Sequence, residues 1–305
     1  MTTRRTVLAT TLSLAFVSLL SGLSAFAAEP AATAPASAAR ISVTVEGSGS
    51  DVVLIPGLNS SPRVWRDMIK AVPGHRYHLV QVSGFAGTAP GANVEGLVAA
   101  PVAEEIAAYI DTNIVGKKLG KPAVIGHSMG GTIGLMLASR HPESVDRLLV
   151  VDMIPFLGAL FGPAGTTAAS ITPTADGLLA GMRAAEPEAR RTRAVATINS
   201  MINTESMRAG AIDDSLGSTP DVSARAYHEL VVTDLRAELA AIKAPTTVLY
   251  IAPKGFMTPA QADTAYQASY ASLRGARLKR IDDSAHFIMW DQPVMFQNAV
   301  KEFLK

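Results

Sequence analysis

Short apolar segments alternate with segments of helical periodicity from about residue 41 to the end of the chain. Most of the apolar segments are rich in Val, Ile and Leu, a composition typical of strands that are buried on both faces. They lie at 41–46, 51–56, 77–82, 123–126, 147–151, 246–251 and 278–281. Because helices separate most of these strands, the pattern predicts an α/β fold with a mostly parallel sheet and helices on both of its faces.

The connection between the first two strands is short and consists of Gly47, Ser48, Gly49 and Ser50. Glycine and serine in such a connection are typical of a hairpin turn. The sequence therefore predicts a β-hairpin between 41–46 and 51–56.

Residues 154–232 interrupt the alternation of strands and helices. Helical patterns occur at 175–185, 188–202 and 222–232, and no convincing strand lies between them. We interpret this stretch as a helical cap inserted into a single core. The core is then formed by 41–153 and 233–305.

The N-terminus has the features of an export signal. Arg4 and Arg5 precede an apolar run from 7 to 26, which ends in an alanine-rich segment. A basic start, an apolar middle and a small-residue exit predict a secretory signal peptide over 1–28, and the paired arginines resemble a twin-arginine signal. The alternative is a permanent membrane anchor, because the run is nearly long enough to span a bilayer.

The Thr, Ser and Gly content of this run favours cleavage over anchoring. We therefore expect a periplasmic or secreted protein without a stable membrane anchor. Residues 29–40 are rich in Pro, Ala and Ser and are interpreted as a linker.

The composition narrows the chemistry that is available. The chain has 305 residues, of which 48% are hydrophobic and 17% are charged, as in a globular enzyme. A formal net charge of +1 gives no basic surface for a nucleic-acid partner. The chain has no cysteine, which excludes disulfides and thiolate catalysis. No cluster of metal ligands and no phosphate-binding loop is evident, so we expect no metal and no organic cofactor.

The sequence Gly126-His127-Ser128-Met129-Gly130 lies between a predicted strand and a predicted helix. In this context a Gly-x-Ser-x-Gly sequence forms a turn so tight that only small residues fit two positions before and after the serine. The turn raises the serine hydroxyl above the sheet edge and directs the positive helix N-terminus at a developing oxyanion. Ser128 is therefore the candidate nucleophile. The alternative is a glycine-rich turn with a capping serine.

Three motifs together resemble the α/β-hydrolase superfamily: 126–131, 54–58, and 284–287 with 291–293. The resemblance extends over nearly all of 41–305 and looks most like single-domain esterases and lactonases with a helical cap. It implies that His286, which follows the last predicted strand, is the base that takes the proton of Ser128.

The same resemblance implies an oxyanion hole formed by the backbone N–H groups of Leu58 and Met129. Members of the family usually carry a histidine before the glycine of the first of these loops, and Pro56 stands in its place here. Because the donated group belongs to the backbone, we expect Leu58 to serve in spite of this difference.

The acid departs from the usual pattern of the family. Gly255 stands where many members carry the aspartate, and a glycine cannot orient an imidazole. Some members instead carry the acid at the end of the strand that comes after the serine turn and its helix, where this chain has Asp152. We expect Asp152 to complete a Ser-His-Asp triad. The alternative is that its side chain only stabilises the turn that leads into the helical cap. Asp283 is the second candidate and Asp263 the third.

An apolar stretch follows Asp152 at the entrance to the predicted cap. Its position suggests an acyl or aryl pocket, for which the candidate residues are Phe156, Leu157, Phe161 and Phe287. Packing of the cap against the core would explain these residues equally well. The sequence thus predicts a serine hydrolase that cleaves small-molecule esters or lactones through an acyl-enzyme.

Two other functions are compatible with the sequence. The same triad could transfer the acyl group to an alcohol or amine instead of water. The missing acid at Gly255 and the missing histidine at Pro56 are also compatible with a non-catalytic ligand-binding protein on a hydrolase scaffold.

Overall fold

The computed structural model describes residues 39–305, and a seven-stranded sheet runs through them. The predicted signal peptide and most of the predicted linker lie outside the described residues. The strands are β1 (Ile41–Gly47), β2 (Ser50–Ile55), β3 (His75–Val82), β4 (Ala123–His127), β5 (Arg147–Val151), β6 (Thr246–Tyr250) and β7 (Arg277–Arg280). Their order is β1-β3-β2-β4-β5-β6-β7, and all neighbours are parallel except β1 and β3. The predicted mostly parallel α/β sheet is confirmed.

The predicted hairpin between the first two strands is wrong. β1 pairs with β3 in antiparallel register, with Ile41 opposite Val82, whereas β2 lies between β3 and β4. From Val52 to Ile55 every residue of β2 is buried, so this strand needs a neighbour on each side and helices on both faces. β1 has exposed positions and suits the edge of the sheet. The glycine-rich turn reverses the chain, but it does not determine which strand becomes the neighbour.

Helices cover both faces of the sheet. Those outside the β5–β6 connection are α1 (Arg66–Ala71), α2 (Ala99–Asn113), α3 (Met129–Arg140), α8 (Pro259–Ser269), α9 (Ile288–Asp291) and α10 (Pro293–Phe303). Val53 and Ile55 share a hydrophobic cluster with α2 and α3, whereas Val52 and Leu54 share one with α1 and α10. Alternate residues of one strand therefore face opposite halves of the core. Among the helices of residues 39–305, none combines the length and hydropathy that a bilayer-spanning helix requires.

Four helices lie between β5 and β6, and we call them the inserted helices. They are α4 (Ala168–Arg183), α5 (Pro187–Met201), α6 (Glu205–Gly217) and α7 (Pro220–Val232). Three correspond to the helical patterns predicted for the cap, although α4 begins earlier than the pattern indicated. α6 was not predicted, because its buried side chains are as small and polar as Ala211 and Asp214.

A buried carboxylate joins the inserted helices to the core. Glu229 on α7 is 2% exposed and accepts the backbone N–H groups of Val98, Ala99 and Ala100 at 2.6, 2.7 and 2.8 Å. These donors belong to the first turn of α2, where N–H groups lack acceptors within the helix. A negative charge at this position also interacts favourably with the helix dipole.

A second buried carboxylate, Asp51, joins β2 to β3. Asp51 is 5% exposed and accepts two hydrogen bonds from Arg76, at 2.6 and 2.7 Å, and one from His78 at 2.7 Å. The other ring nitrogen of His78 bonds to the hydroxyl of Tyr109 on α2. Burial alone would raise the pKa of Asp51, but the hydrogen bonds and charges of Arg76 and His78 outweigh it and lower that pKa.

Candidate active site

Ser128 occupies a strained turn between β4 and α3, with φ 54° and ψ −123°. A Cβ atom at Gly126 would overlap the carbonyl oxygen of Gly130, and one at Gly130 would overlap the carbonyl oxygen of Ile55. Only glycine fits at these two positions, as the sequence motif requires. The N–H of Ser128 donates to the carbonyl oxygen of Val151 at 2.9 Å, so the turn begins at the end of a strand pair.

The loop after β2 lies beside the serine. A side-chain carbon added at Gly57 would be 3.0 Å from the Cβ atom of Ser128. Leu58 follows Gly57 in this loop, and Met129 is the first residue of α3. Within residues 39–305, neither the Leu58 N–H nor the Met129 N–H donates to another group of the protein. Neither predicted oxyanion donor is therefore occupied by an acceptor within the described part of the chain.

Asp152 follows β5 directly and has a positive φ of 51°. Its side chain is 8% exposed, and its Oδ2 accepts a hydrogen bond from Nδ1 of His286 at 2.6 Å. Its Oδ1 accepts the Tyr266 hydroxyl at 3.0 Å and the Ile251 N–H at 3.3 Å. The N–H of Asp152 donates to the carbonyl oxygen of Leu249 at 2.8 Å, which extends the pairing of β5 with β6. The carboxylate is thus fixed by three donors, one of which is the imidazole.

His286 lies on the loop between β7 and α9, with its side chain 20% exposed. Just before it, the N–H of Ala285 donates to the carboxylate of Asp291 at 2.9 Å. Just after it, the N–H of Phe287 donates to the carbonyl oxygen of Met201, the last residue of α5, at 3.2 Å. Because the backbone is held on both sides, the position of the imidazole is well defined.

His127 links the serine turn to the histidine loop. The His127 side chain is fully buried, its Nε2 donates to the carbonyl oxygen of His286 at 3.1 Å, and the two rings are 4.6 Å apart. Burial and the neighbouring His286 hold the pKa of His127 well below its usual value, so this imidazole is neutral. Within residues 39–305, no hydrogen bond joins the Ser128 hydroxyl to the His286 ring, and the two residues are connected through His127.

The other two candidate acids are placed differently. Asp263 accepts a hydrogen bond from the Tyr250 hydroxyl at 2.7 Å. Asp283 lies exposed on the histidine loop. The structure therefore brings His286 together with Asp152, the acid that the sequence favoured.

The four predicted substrate-binding residues lie in different surroundings. Phe287 packs against the site, with its ring 4.7 Å from that of His127. Phe156 is 1% exposed inside a small hydrophobic cluster formed with α4 and α7, and Leu157 packs against the same cluster. Phe161 is 41% exposed and contacts a tyrosine of α7 edge to face. The contacts of Phe156 and Leu157 are thus those of helix packing, the alternative that the sequence left open.

Two residues that support the site were not predicted. Tyr266 contacts the carboxylate of Asp152, and Asp291 fixes the histidine loop. Tyr266 lies on α8 and Tyr270 follows four residues later, just after the helix ends, and this spacing is the sequence signal for Tyr266. Nothing in the sequence indicates the contact of Asp291.

The strained serine and the carboxylate–imidazole pair thus lie at the carboxyl ends of neighbouring parallel strands, the place where an α/β hydrolase carries its active site. Within residues 39–305, no group of three or more His, Asp or Glu side chains is arranged to hold a metal ion. A family model described as alpha/beta hydrolase fold matches residues 52–293, and the chain belongs to this family.

Individual proteins agree with this assignment. The chain is 28% identical to a pimeloyl-[acyl-carrier protein] methyl ester esterase of Aromatoleum aromaticum, over 82% of this chain and 98% of that protein. An esterase of the same name from Aeromonas hydrophila is 33% identical over 119 residues, which cover 38% of this chain and 43% of that protein. The chain spans about two fifths of the length of the curated relatives that it matches over such short segments.

Solved structures share the fold. The enol-lactonase from Burkholderia xenovorans LB400 superimposes with a TM-score of 0.67 at 20% identity, over 87% of this chain and 96% of that chain. A hydrolase from Pseudomonas aeruginosa PA01 gives a TM-score of 0.70 at 19% identity, over 87% and 94% of the two chains. The predicted resemblance to the α/β-hydrolase superfamily is confirmed.

Proposed function

We propose that this protein is a serine hydrolase that cleaves carboxylic esters or lactones, with Ser128 as nucleophile, His286 as base and Asp152 as acid. The proposal is carried by the 2.6 Å contact between Asp152 Oδ2 and His286 Nδ1, which forms beside a serine with φ 54°. Backbone strain and a carboxylate that is 8% exposed both tend to lower stability. Their occurrence at one sheet edge favours a catalytic role.

The first half of the reaction forms the acyl-enzyme. The Ser128 oxygen bonds to the carbonyl carbon of the ester, and its proton passes to Nε2 of His286, while the Nδ1 proton stays on the hydrogen bond to Asp152. The Leu58 and Met129 N–H groups donate to the oxyanion. The bond from carbon to the alcohol oxygen then breaks, and the Nε2 proton moves to the leaving alkoxide.

The second half of the reaction regenerates the serine. Water bonds to the acyl carbon as His286 takes one of its protons, the bond to the Ser128 oxygen breaks, and that oxygen recovers a proton from His286. These steps require the Ser128 hydroxyl to contact the imidazole of His286. Hydrogen bonds between nucleophile and base are often long without substrate and shorten when substrate is bound, so we expect this contact to form in the complex.

The bond class follows from the site together with the relatives. One aligned relative is named as a methyl ester esterase and a structural neighbour as an enol-lactonase. We infer that this chain cleaves the same kind of acyl–oxygen bond in a small molecule. The inserted helices would then act as a cap over the substrate, and Phe287 would contact it.

The test is a panel of p-nitrophenyl esters of increasing acyl length, together with a γ-lactone, on wild type and Ser128→Ala. We expect Ser128→Ala to lower kcat by about 10⁴-fold or more. Ser200→Ala, at an exposed serine on α5, serves as the matched control and should keep wild-type turnover. A fluorophosphonate should label wild type and the control but not Ser128→Ala. A folded wild-type protein that is not labelled would instead favour the ligand-binding alternative.

Acyl transfer is the second candidate function, because it uses the same acyl-enzyme. Addition of an alcohol or amine to the ester assay separates the two reactions. If the acyl group goes mainly to the added nucleophile while water is in large excess, the protein is an acyltransferase. If the free acid remains the main product, it is a hydrolase.

For location, we propose that residues 1–28 direct export to the periplasm or medium. The support is the arginine pair, the apolar run and the alanine-rich exit of the sequence. Fractionation of cells that express the full chain, with the mass of the mature protein, tests this proposal. If export uses the twin-arginine route, replacing Arg4 and Arg5 by lysine should leave the uncleaved precursor inside the cell.

A further inference from the structure

Three tyrosine rings are stacked beside the candidate acid. Tyr250 ends β6, and Tyr266 and Tyr270 lie four residues apart on α8 and just after it. The Tyr250 and Tyr266 ring centroids are 4.2 Å apart with an interplanar angle of 20°, and those of Tyr266 and Tyr270 are 6.3 Å apart at 11°. The rings therefore support one another, and the position of each hydroxyl is fixed.

The hydroxyls of Tyr266 and Tyr270 bind two consecutive residues of the segment after β5. Tyr266 donates to Oδ1 of Asp152 at 3.0 Å, and Tyr270 donates to the carbonyl oxygen of Met153 at 2.6 Å. The third hydroxyl, that of Tyr250, donates to Asp263 instead. Of the three, Tyr266 alone contacts the carboxylate that faces His286.

The position of the acid explains why such support is useful. Asp152 has a positive φ, a conformation that residues with a Cβ atom rarely adopt, so the segment after β5 needs outside contacts to hold it. In this chain the β6–α8 loop carries Gly255 and supplies no acid. The helix that follows this loop supplies a phenol hydroxyl to the acid on the neighbouring strand.

We propose that Tyr266 is a positioning residue of the triad, a role that rests on the proposed function. It orients the Asp152 carboxylate and, by sharing the charge of that carboxylate, sets how strongly Asp152 stabilises the protonated form of His286.

The electrostatics support this role. Burial, with the nearby charge of Asp152, holds the pKa of Tyr266 well above its usual value, so the phenol stays protonated and remains a donor. A carboxylate that loses one hydrogen-bond donor keeps more of its negative charge on its oxygens. Without the Tyr266 hydroxyl, Asp152 should therefore stabilise the His286 imidazolium more strongly, and the free base that the reaction needs should appear only at higher pH.

The other titratable groups near the Asp152–His286 pair have contacts that do not involve the Tyr266 hydroxyl, which binds Asp152. His127 is neutral and packs on the His286 ring. Asp291 binds the backbone of the histidine loop. Burial raises the pKa of Tyr250 to about 12, and burial also raises that of Tyr270, so both phenols stay neutral. A change in the pH profile is then attributable to Tyr266.

The experiment compares Tyr266→Phe with Tyr270→Phe. Each variant removes one hydroxyl from the same stack, but only the first removes a donor to the carboxylate. For Tyr266→Phe we expect the acid limb of the pH profile of kcat/KM to move up by about half a pH unit, with a fall in kcat of about threefold to tenfold. For Tyr270→Phe we expect an unshifted limb, whatever its effect on thermal stability.

A fluorinated tyrosine at position 266 gives a second test that keeps the ring and the hydroxyl. Its phenol is a stronger donor, so the acid limb should move down. NMR titration of the His286 ring reports the same shifts without any substrate. A wild-type titration midpoint in both position-266 variants, or an equal shift in Tyr270→Phe, would overturn the role of Tyr266. Loss of the proposed function is a separate outcome, because it would appear as wild-type turnover in Ser128→Ala.

Discussion

Replacing Asp152 by asparagine should disable the base without disturbing the fold. The two side chains have nearly the same shape, so the effect depends on which atom faces His286. The Ile251 N–H can only donate, and it points at Oδ1. The amide oxygen of the variant is therefore held at the Oδ1 position, and the amide nitrogen occupies the Oδ2 position, 2.6 Å from Nδ1 of the imidazole.

An amide nitrogen at this position donates and cannot accept a hydrogen bond. Nδ1 must then accept, so the imidazole proton moves to Nε2. A ring protonated on Nε2 cannot take the proton of Ser128, and the imidazolium form also loses its countercharge. Loss of the charge-assisted hydrogen bond alone corresponds to about 1.5–3 kcal/mol, or roughly 10- to 150-fold in rate. With the wrong tautomer added, we expect kcat to fall by about 10³- to 10⁴-fold.

The assay measures kcat on a p-nitrophenyl ester and the rate at which a fluorophosphonate labels Ser128, with circular dichroism to confirm the fold. Asp283→Asn is the matched control, because it makes the same substitution at an exposed aspartate three residues from His286. We expect the control to stay within about twofold of wild type. Activity of Asp152→Asn within tenfold of wild type would refute the reasoning. Loss of activity in Asp283→Asn instead would assign the acid to that residue.

Three further predictions concern stability and the serine turn. Glu229→Ala leaves three buried N–H groups without an acceptor, so we expect about 3–5 kcal/mol less free energy of unfolding and a melting temperature about 10 °C lower. Gly130→Ala forces a Cβ atom against the carbonyl oxygen of Ile55, so we expect at least a tenfold loss of fluorophosphonate labelling of Ser128. Asp51→Asn should destabilise the protein by about 2–4 kcal/mol at pH 7. Because folding lowers the pKa of Asp51, its contribution is present above about pH 4 and is lost as the pH falls further, so the variant should lose less stability on acidification.

Each of these predictions has a control or a contradicting result. Glu104→Gln alters an exposed carboxylate on α2 that pairs with a partly exposed histidine, and it should change the unfolding free energy by less than about 1 kcal/mol. If Glu229→Ala changed the unfolding free energy as little as Glu104→Gln does, the buried N–H groups would have found another acceptor. Undiminished labelling of a folded Gly130→Ala protein would contradict the steric argument. Parallel urea-unfolding midpoints for Asp51→Asn and wild type from pH 7 to pH 3 would contradict the linkage.

The sequence was informative where a local rule determines the structure. The apolar strands of 41–281 and the helices between them follow from periodicity, because a strand buried on both faces can hardly be anything but apolar. The serine turn follows from Gly126 and Gly130, because a turn with no room for a side chain at these positions requires glycine. The expectation that Asp152 is the acid came instead from the resemblance to the α/β-hydrolase superfamily, some members of which carry the acid after the corresponding strand.

The sequence was uninformative where the partner is distant. The turn at Gly47–Ser50 reverses the chain, but the burial of β2 on both faces decided that β3 lies between the first two strands. α6 has few large apolar residues, and one of its contacts with the core is polar: Asp214 binds Ser61 and Arg63.

The sequence by itself determined the type of sheet, the strained serine and the short set of residues from which the acid and base are drawn. Only the tertiary structure decided that Asp152 reaches His286, that Tyr266 binds the same carboxylate, and that Phe156 packs among the inserted helices. The physical reason is the range of each interaction. Backbone sterics and hydrophobic periodicity act between residues a few positions apart, whereas the contact of Asp152 with His286 joins residues 134 positions apart and exists only after β5 and the loop beyond β7 meet at one edge of the sheet.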